Sequence, residues 1–446
     1  MPTPVTARGR APYRLRAPDA VAVGGAALLV GLAAVVGRTL LARGHELFLP
    51  FPPLLATWEP HVGPGTPVAI AVATLVALRG PELAGRLRWG ALLGSAYAAA
   101  AAWIIALALV DGWQRGVVER LTSTDEYLHD VPRVTDIPAM LATFADHILT
   151  DAPGFWTTHV GAHPPGALLL FVVLDRIGLG GGGPSGVVVM LVAASACVAV
   201  AVTLRALGAE DAARRALPFG VLLPGAVWMG VSADGLFAAV LAWGVGLLAL
   251  GATGRDRRAD LCALAGGVVL GWCLYLSYGL VVAGLVPLAV LVLTRSRRAG
   301  VLATVGVAAV ALGFTAAGFW WFTGFAHLRV IYAASAAVDR PYAYFVWANL
   351  AALLLALGPA VVAGLRRAAA DPRALPVAAV ALAGAALAAV LVADVSGMSK
   401  AEVERIWLPF AVWLAVPCAL LPRARSWLAA QAVLALAVNH LLFTVW

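Results

Sequence analysis

Charged residues are scarce in this sequence. Asp, Glu, Lys and Arg make up 12% of the 446 residues, whereas a soluble protein carries about a quarter. Hydrophobic residues make up 62%, above the roughly 45–50% typical of soluble domains. So few charges cannot cover the surface of a soluble fold of this length. These proportions exclude a soluble enzyme, a disordered protein and a nucleic-acid-binding domain, and they predict a polytopic membrane protein.

Cysteine and lysine are also rare. The four cysteines, Cys197, Cys262, Cys273 and Cys418, lie in apolar stretches and lack the spacing of metal ligands. They are therefore expected to be small buried hydrophobic side chains. Lys400 is the only lysine, so arginine supplies the rest of the 31 basic residues. No nucleotide-binding loop is visible in the segments expected to face the cytoplasm.

Long apolar runs fill most of the chain and predict an all-α, polytopic integral membrane protein with about thirteen transmembrane helices. The first run follows an arginine-containing tail and extends to about residue 41. It is too long for a signal-peptide core and lacks a small-residue cleavage site, so we expect a retained first span. The other predicted spans cover residues 65–79, 89–110, 186–204, 216–231, 235–252, 260–276, 279–294, 301–321, 342–364, 375–393, 406–421 and 426–444.

Arginine clusters between the predicted spans indicate the orientation. Seven clusters, beginning with the N-terminal tail, hold 21 of the 31 basic residues. All of them fall in alternate loops when the chain has thirteen spans and a cytoplasmic N-terminus, as the positive-inside rule requires. The same clusters account for the net charge of +8 without a nucleic-acid partner. We therefore expect a multi-pass protein of the cell membrane whose chemistry takes place on the outer face.

Residues 164–177 are apolar but are expected not to cross the membrane. Their apolar core is about ten residues long, roughly half of what a spanning helix needs. Counting them as a span would place five arginine clusters outside. We therefore interpret residues 111–185 as one long outer loop that carries interfacial helices, too long to be a simple connection. Further outer loops are expected at residues 42–64, 322–341 and 394–405.

The first candidate motif is the segment TSTDEYLHD, residues 122–130, after the third predicted span. Its acids Asp125, Glu126 and Asp130 and the imidazole of His129 are expected near the membrane surface. A carboxylate near a low-dielectric boundary has a raised pKa unless it is paired, which suits a general base. The alternative is a solvated polar loop whose Ser, Thr and Asp side chains cap a helix.

A second motif, TTHVGAHPPGALLLF, places His159 and His163 four residues apart, ahead of Pro164 and Pro165. Proline fits the first turn of a helix, so the pair is consistent with a purely structural helix start. The positive N-terminal end of such a helix, together with a histidine, also suits a phosphate group. The two histidines leave a divalent metal open, but no HExxH motif or third histidine supports one. No other cofactor is indicated.

The remaining candidates lie at the outer ends of later spans. Asp234 is an acid in an apolar segment, where acids are costly and commonly functional, although it also suits a helix N-cap. Arg340, Lys400 and Arg405 are cations at the depth of a lipid phosphate, which arginine binds in bidentate fashion. Glu402 accompanies them as a further polar candidate. The alternative is a set of charged residues that anchor the helices at the membrane interface.

This pattern resembles the GT-C superfamily of membrane glycosyltransferases, which includes protein O-mannosyltransferases and aminoarabinose transferases. Three short motifs carry the resemblance, and their order and spacing count for more than any one of them. They are an Asp-Glu pair in the first long outer loop, a His-Pro-Pro before a juxtamembrane helix and an acid that opens a later span. In this chain they correspond to Asp125-Glu126, His163-Pro164-Pro165 and Asp234.

The resemblance covers roughly residues 90–260 and has departures. Gly166 replaces the family's leucine after the two prolines, and no lysine precedes them. The phosphate contact therefore falls to His163 or to Lys400 and Arg405. The chain is accordingly divided into a cytoplasmic tail with two additional spans, a GT-C-like catalytic module and the C-terminal spans, which cover residues 1–88, 89–260 and 261–446.

The resemblance implies an inverting transferase that takes a sugar from a polyprenyl-phosphate donor. The acceptor would be a glycan, lipid or protein, and membrane lipids would surround the chain. Asp125 would deprotonate the acceptor hydroxyl, and Glu126 would orient the acceptor or the base. The residues expected to contact substrate are His129, Asp130, His159, His163, Asp234, Arg340, Lys400, Glu402 and Arg405.

The alternative of a different class is a transporter or lipid flippase. Transporters keep ionisable residues near the middle of the bilayer and commonly contain two-fold repeats with broken helices. Here the candidate charges lie at one edge of the predicted membrane region, and no repeat is evident in the sequence. Both features favour the transferase.

Overall fold

A computed structural model describes residues 17–445. The tail predicted to be cytoplasmic, residues 1–16, lies outside the described residues. The described part is predominantly helical with almost no sheet, as predicted. Its helices are α1 (Ala17–Ala42), α2 (Thr66–Arg86), α3 (Trp89–Ala108), α4 (Tyr127–Asp130), α5 (Ile137–Thr143), α6 (Thr158–Gly161), α7 (Pro165–Leu174), α8 (Gly182–Ala194), α9 (Ala196–Ala206), α10 (Glu210–Val221), α11 (Ala233–Thr253), α12 (Arg257–Leu276), α13 (Leu285–Thr294), α14 (Arg297–Ala316), α15 (Trp321–Ala334), α16 (Tyr342–Ala370), α17 (Val377–Val395), α18 (Val403–Ile406), α19 (Leu408–Leu414) and α20 (Ala424–Leu441).

Nine helices between residues 17 and 445 are long and apolar enough to cross a membrane. A crossing helix needs about 20 predominantly apolar residues, and here α8 and α9 count as one helix of 25 residues. The chain is therefore an all-α multi-pass membrane protein. The nine helices are α1, α2, α3 with the turn that follows it, α8–α9, α11, α12, α14, α16 and α17.

Four predicted spans are shorter or less apolar than this requirement. The span predicted at 216–231 is α10 followed by a separate turn that begins at Pro224, because proline cannot continue a helix hydrogen-bond ladder. The spans predicted at 279–294 and 406–421 contain short apolar helices of 10–17 residues. The fourth is α20.

The prediction for residues 426–444 is wrong at its C-terminal end. Helix α20 stops at Leu441, and Leu442–Thr444 forms the strand β2. This strand pairs antiparallel with β1 (Ala56–Trp58), so that Ala56 lies opposite Thr444. Apolar side chains alone do not distinguish the last turn of a helix from a short strand.

Three predicted outer loops contain helical residues: those at 111–185, where short helices were expected, at 322–341, and at 394–405, where α18 begins. The segment predicted as an outer loop at 322–341 begins with the 14-residue helix α15, because α14 ends at Ala316 rather than near residue 321. The segment 111–185 carries four short helices, α4 to α7. Helix α7 has ten residues, too few to cross a bilayer of about 30 Å. Gly182 packs so closely on Val118 that an added Cβ would lie 1.9 Å from the Val118 carbonyl oxygen.

The helix ends gather at two opposite ends of the bundle. At the first, which we call the basic end, Arg214 donates to the carbonyl of Leu87 at 3.0 Å and Arg298 to that of Gly254 at 3.1 Å. At the second, which we call the polar end, Gly65 N–H donates to the carbonyl of Leu109 at 3.0 Å. Both ends of the 111–185 segment belong to the polar end.

Helix α16 is broken in its middle. Gly358 has a φ of 77°, a left-handed conformation that glycine adopts at little cost, and Pro359 follows it. The buried amide of Gln431 on α20 replaces the lost helix bonds. Its Oε1 accepts from Ala360 N–H at 3.1 Å and its Nε2 donates to the Leu357 carbonyl at 2.9 Å. The break is thus satisfied by protein groups, as the apolar surroundings demand.

Candidate functional site

Arg405 lies at the centre of a buried group of charged side chains at the polar end. Its Nη1 donates to Asp234 Oδ2 at 2.6 Å, and its Nη2 donates to Glu402 Oε2 at 2.8 Å. The same Nη2 lies 3.2 Å from His159 Nε2. Asp234 and Arg405 are only 6% and 7% exposed. Buried charges require such pairing, and we call these four residues together with Glu126 the Arg405 network.

His159 extends the network to Glu126. Because a guanidinium can only donate, Nε2 of His159 is the acceptor toward Arg405, which leaves the ring proton on Nδ1. That nitrogen lies 3.0 Å from Glu126 Oε1. Burial opposes ionisation of Glu126, but His159 and Arg405 outweigh this effect and keep the pKa of its carboxyl below the usual value. Glu126 Oε2 has no hydrogen-bond partner within residues 17–445.

Hydrogen bonds and a ring contact join the two sequence motifs of the 111–185 segment. Asp125, directly before Glu126, accepts a bond from His159 N–H at its carbonyl, at 3.0 Å. Its carboxylate Oδ1 accepts from Thr158 Oγ1 at 2.8 Å. The ring of Tyr127 stacks on that of His159 with centroids 6.3 Å apart. The Asp-Glu motif and the first histidine therefore form one unit.

The first turn of α11 supplies Asp234. The N-cap of this helix is Ser232, whose hydroxyl accepts from Gly235 N–H at 3.4 Å. Asp234 is therefore not the N-cap, and the capping alternative for this acid is wrong. Its carboxylate lies in the first turn and pairs with Arg405 instead. The helix dipole also favours a negative charge at this position.

A strained loop presents Glu402 and Arg405. Ala401 and Glu402 have φ values of 70° and 59°, a left-handed conformation that costs a non-glycine residue about 1–3 kcal/mol. The buried amide of Asn349 holds the loop, since its Oδ1 accepts from Ala401 N–H at 3.1 Å and its Nδ2 donates to the Ser399 carbonyl at 2.8 Å. The sequence interpretation missed Asn349. An amide within an apolar helix was the available signal.

His163 lies beside the network in an aromatic setting. Its Nδ1 lies 2.7 Å from the His159 carbonyl oxygen, and its ring contacts those of Tyr127 and Phe237. Burial lowers the pKa of His163 to about 4, so the ring is neutral at neutral pH. Gly166, which follows the two prolines, fits against Tyr275, where an added Cβ would lie 2.5 Å from the carbonyl oxygen. This close approach explains the glycine.

Arg340 and Lys400 form a pair of cations at the rim of the network. Arg340 Nη1 donates to the Lys400 carbonyl at 2.6 Å, and its Nη2 lies 3.6 Å from Glu402 Oε1. Lys400 Nζ donates to the carbonyls of Ala337 and Val338 at 3.1 and 3.3 Å. Arg340 Nε is buried and has no hydrogen-bond partner among the residues the structure describes. We call Arg340 and Lys400 the rim pair.

The other residues predicted from the Asp-Glu segment lie outside the network. Asp125 and His129 are exposed. Asp130 is fully buried, and its carboxylate accepts from Arg133 Nη1 at 2.6 Å and from the Thr157 N–H and hydroxyl at 2.8 and 3.0 Å. These contacts tie the start of α6 to α4 and favour a structural role for Asp130. No side chain caps α4.

Glu404 is a buried acid that the sequence interpretation did not single out. It is 1% exposed, and no side chain within residues 17–445 donates a hydrogen bond to its carboxylate, which the backbone N–H groups of Leu55 and of Glu404 itself approach. Burial raises the pKa of this carboxyl to about 7. Glu404, next to Arg405 in the chain, is therefore a buried acid that holds its proton more tightly than an exposed glutamic acid.

Within the described residues, no group of three or more His, Cys, Asp or Glu side chains is arranged to hold a metal ion. The four cysteines are free, and three of them are buried as expected. Cys262 is only partly buried, which corrects the prediction for that residue.

Comparisons with known proteins add nothing to this geometry. No family model, no curated protein and no solved structure matches the chain.

Proposed function

We propose that the chain is a membrane glycosyltransferase that moves a sugar, with inversion, from a polyprenyl-phosphate donor to a hydroxyl of a glycan, lipid or protein. The observation that carries the proposal is the convergence of three separate parts of the chain on one buried network. These parts supply Glu126 with His159, Asp234, and Glu402 with Arg405. The motifs that resemble the GT-C superfamily contain Glu126 and Asp234, and the network connects the two.

The proposal includes thirteen crossings, with the basic end in the cytoplasm and the polar end outside. The nine long apolar helices and the four shorter or less apolar helical segments together provide thirteen. The arginine clusters then obey the positive-inside rule. A lipid-linked donor suits an outer active site because nucleotide sugars are cytoplasmic compounds. Its phosphate would lie at the membrane surface, at the level of the rim pair, since its tail stays in the hydrocarbon.

Cysteine labelling tests this topology. In a Cys262→Ser background, Ser123→Cys should react with a membrane-impermeant maleimide added to intact cells, whereas Asp211→Cys should react only after permeabilisation. Both positions are exposed, and α8–α9 is the one proposed crossing between them. The Cys262→Ser parent is the control for background labelling. Labelling of both positions from the same side would mean that α7 also crosses the membrane.

The acceptor hydroxyl is activated, in this proposal, by Asp125. Its carboxylate is exposed to an incoming acceptor and is held in place by Thr158. Glu126 is committed to His159 and is buried, so its role is to position the loop that carries Asp125. In the transfer step the acceptor oxygen bonds to the anomeric carbon while the bond from that carbon to the phosphate oxygen breaks. The proton passes to Asp125, and polyprenyl phosphate leaves.

The donor phosphate is held, in this proposal, by the rim pair rather than by Arg405. Arg405 already pairs with the carboxylates of Asp234 and Glu402, and a third carboxylate, that of Glu126, lies on the far side of His159. Among residues 17–445, the only carboxylate in an ion pair with the rim pair is that of Glu402, which lies 3.6 Å from Arg340 Nη2. A guanidinium and an ammonium with remaining donor capacity suit the developing negative charge of a leaving phosphate.

The rim pair can be tested through the donor. Arg340→Gln and Lys400→Gln should each weaken the apparent affinity for the polyprenyl-phosphate sugar by about 10- to 150-fold, the equivalent of a charged hydrogen bond. Steady-state transfer kinetics at varied donor concentration measure this effect. Arg329→Gln is the matched control, because Arg329 is exposed on α15 near the same end. An unchanged donor affinity in both rim variants would show that the rim pair does not bind the donor phosphate.

The activity itself is tested by reconstitution. The purified chain in liposomes should transfer label from polyprenyl-phosphate hexoses or pentoses to an acceptor in a membrane extract. The sugar attached to the acceptor should have the opposite anomeric configuration to the sugar in the donor, as single displacement requires. Failure with all hexose and pentose donors tried, in preparations that are folded, would count against the transferase.

A proton-coupled transporter or flippase is the second candidate, and Glu404 is the observation in its favour. A buried carboxyl with a pKa of about 7 is suited to proton exchange during transport. Counterflow of labelled substrate in proteoliposomes, abolished by Glu404→Gln, would support this candidate. The position of Glu404 beside the polar end, rather than in the middle of a long helix, favours the transferase.

A further inference from the structure

A cavity of about 550 Å³ opens at the basic end, away from the Arg405 network. Helices α10 and α16 line it, together with residues 371–374 and 419–422. Three guanidiniums line the cavity together with the carboxylate of Asp371 and a set of apolar residues. The arginines are Arg215, Arg366 and Arg367, and the apolar residues include Leu420, Leu421 and Pro422.

Two of the arginines are anchored by a fully buried acid. Asp19, on α1, has no exposed surface and accepts from Arg367 through Nε and Nη2, the latter at 2.5 Å. Its other oxygen lies 2.6 Å from Arg366 Nη2. This pairing fixes the direction of both guanidiniums and joins α1 to α16.

The cavity keeps unmet cationic capacity. Arg366 Nε is buried and has no hydrogen-bond partner within the described range 17–445. Arg215 is exposed, and its Nε makes a 3.3 Å bond to the carbonyl of Asp211. Three arginines face two carboxylates, those of Asp19 and Asp371, so the cavity has a net positive charge.

We propose that this cavity binds the phosphate group of an anionic phospholipid from the leaflet at the basic end. Guanidiniums recognise phosphate oxygens in bidentate fashion, and Arg366, which lines the cavity, has an Nε donor without a hydrogen-bond partner in the described residues. The leucines and the proline beside them would contact the glycerol and the first acyl carbons. Basic pockets between membrane helices are suited to such headgroups. The bound lipid would bridge α16 to α10.

The apolar part of the lining separates a lipid from a soluble anion. Inorganic phosphate would use the arginines alone, whereas a phospholipid also covers Leu420 and Leu421. The lipid should therefore bind more tightly than the free ion. The site is independent of sugar transfer, and its test does not require the proposed activity.

The experiment uses the full chain purified in detergent and titrated with phosphatidylglycerol, with native mass spectrometry as the readout. Arg215→Gln and Arg366→Gln should each weaken binding by about fivefold, the effect of one basic residue near an anionic headgroup. Arg366→Gln leaves Asp19 paired with Arg367. Arg215 does not contact Asp19, so Arg215→Gln still tests the proposal if Arg366→Gln fails to fold.

The matched control is Arg258→Gln, since Arg258 is exposed at the basic end but does not line the cavity. Binding of phosphatidylglycerol that is lost in the two cavity variants and kept in the control supports the proposal. An equal loss in the control would indicate diffuse attraction and overturn it. Binding of inorganic phosphate as tight as that of phosphatidylglycerol, or binding of phosphatidylcholine to the same extent, would also overturn it.

Discussion

Asp125→Asn is expected to lower the rate of glycosyl transfer by at least about 100-fold, the usual contribution of a general base. The amide keeps the shape of the side chain and can still accept the hydrogen bond from Thr158, but it cannot take a proton. Because Asp125 is exposed, the thermal stability of the protein should not change. Donor affinity should also be kept, since the carboxylate acts on the acceptor. Single-turnover kinetics with saturating donor measure the transfer step.

Two neighbouring variants make this expectation decisive. Asp151→Asn removes an exposed acid from the same segment and should leave the transfer rate unchanged. Glu126→Gln disturbs the contact with His159 and should lower stability together with activity. If Asp125→Asn retains normal turnover while Glu126→Gln is inactive but folded, the base is Glu126. Normal turnover in both would leave the transferase proposal without its acid–base chemistry.

Much of the helical architecture could be predicted from local apolar runs. A run of about 20 apolar residues has few alternatives to a membrane helix, and arginines mark its ends. The strand at residues 442–444 could not be predicted in this way, because its partner at 56–58 is distant in the sequence. Helix α15 was missed for a different reason. Its sequence mixes aromatic, polar and basic residues and lacks the long apolar run by which the other helices were predicted.

The site was predictable to the extent that charge in apolar surroundings identifies it. Asp234 was chosen for that reason, Glu126 for the Asp-Glu motif and Arg405 for its position at the outer end of a span, and the structure brings the three into one network. Adjacent residues such as Asp125 and Glu126 cannot be ranked by pattern, since the direction in which each points depends on where α4 begins. The sequence pattern also does not show which groups a cation contacts. Whether Arg405 faces a phosphate or a carboxylate depends on how α6, α11 and α18 pack.

Arg405→Ala is expected to destabilise the protein strongly, and not merely to lower its affinity for the donor. The guanidinium lies within 2.8 Å of two carboxylates, those of Asp234 and Glu402, and contacts His159 as well. Removing one member of a buried ion pair leaves an uncompensated charge and costs about 3–5 kcal/mol. The pKa of Arg405 is raised by these carboxylates against the effect of burial, which agrees with a permanently charged centre. Thermal unfolding in detergent should show a fall of several degrees in the melting temperature.

Charge-balanced variants distinguish this role from a phosphate contact. Asp234→Asn combined with Arg405→Gln removes a pair of opposite charges and should recover part of the lost stability, as a double-mutant cycle would measure. Arg329→Ala, an exposed arginine at the same end, should melt like the unaltered protein. A folded Arg405→Ala protein of normal stability whose donor affinity falls by 10-fold or more, about 1.4 kcal/mol, would return the phosphate to Arg405. The rim pair would then serve only to close the loop over the network.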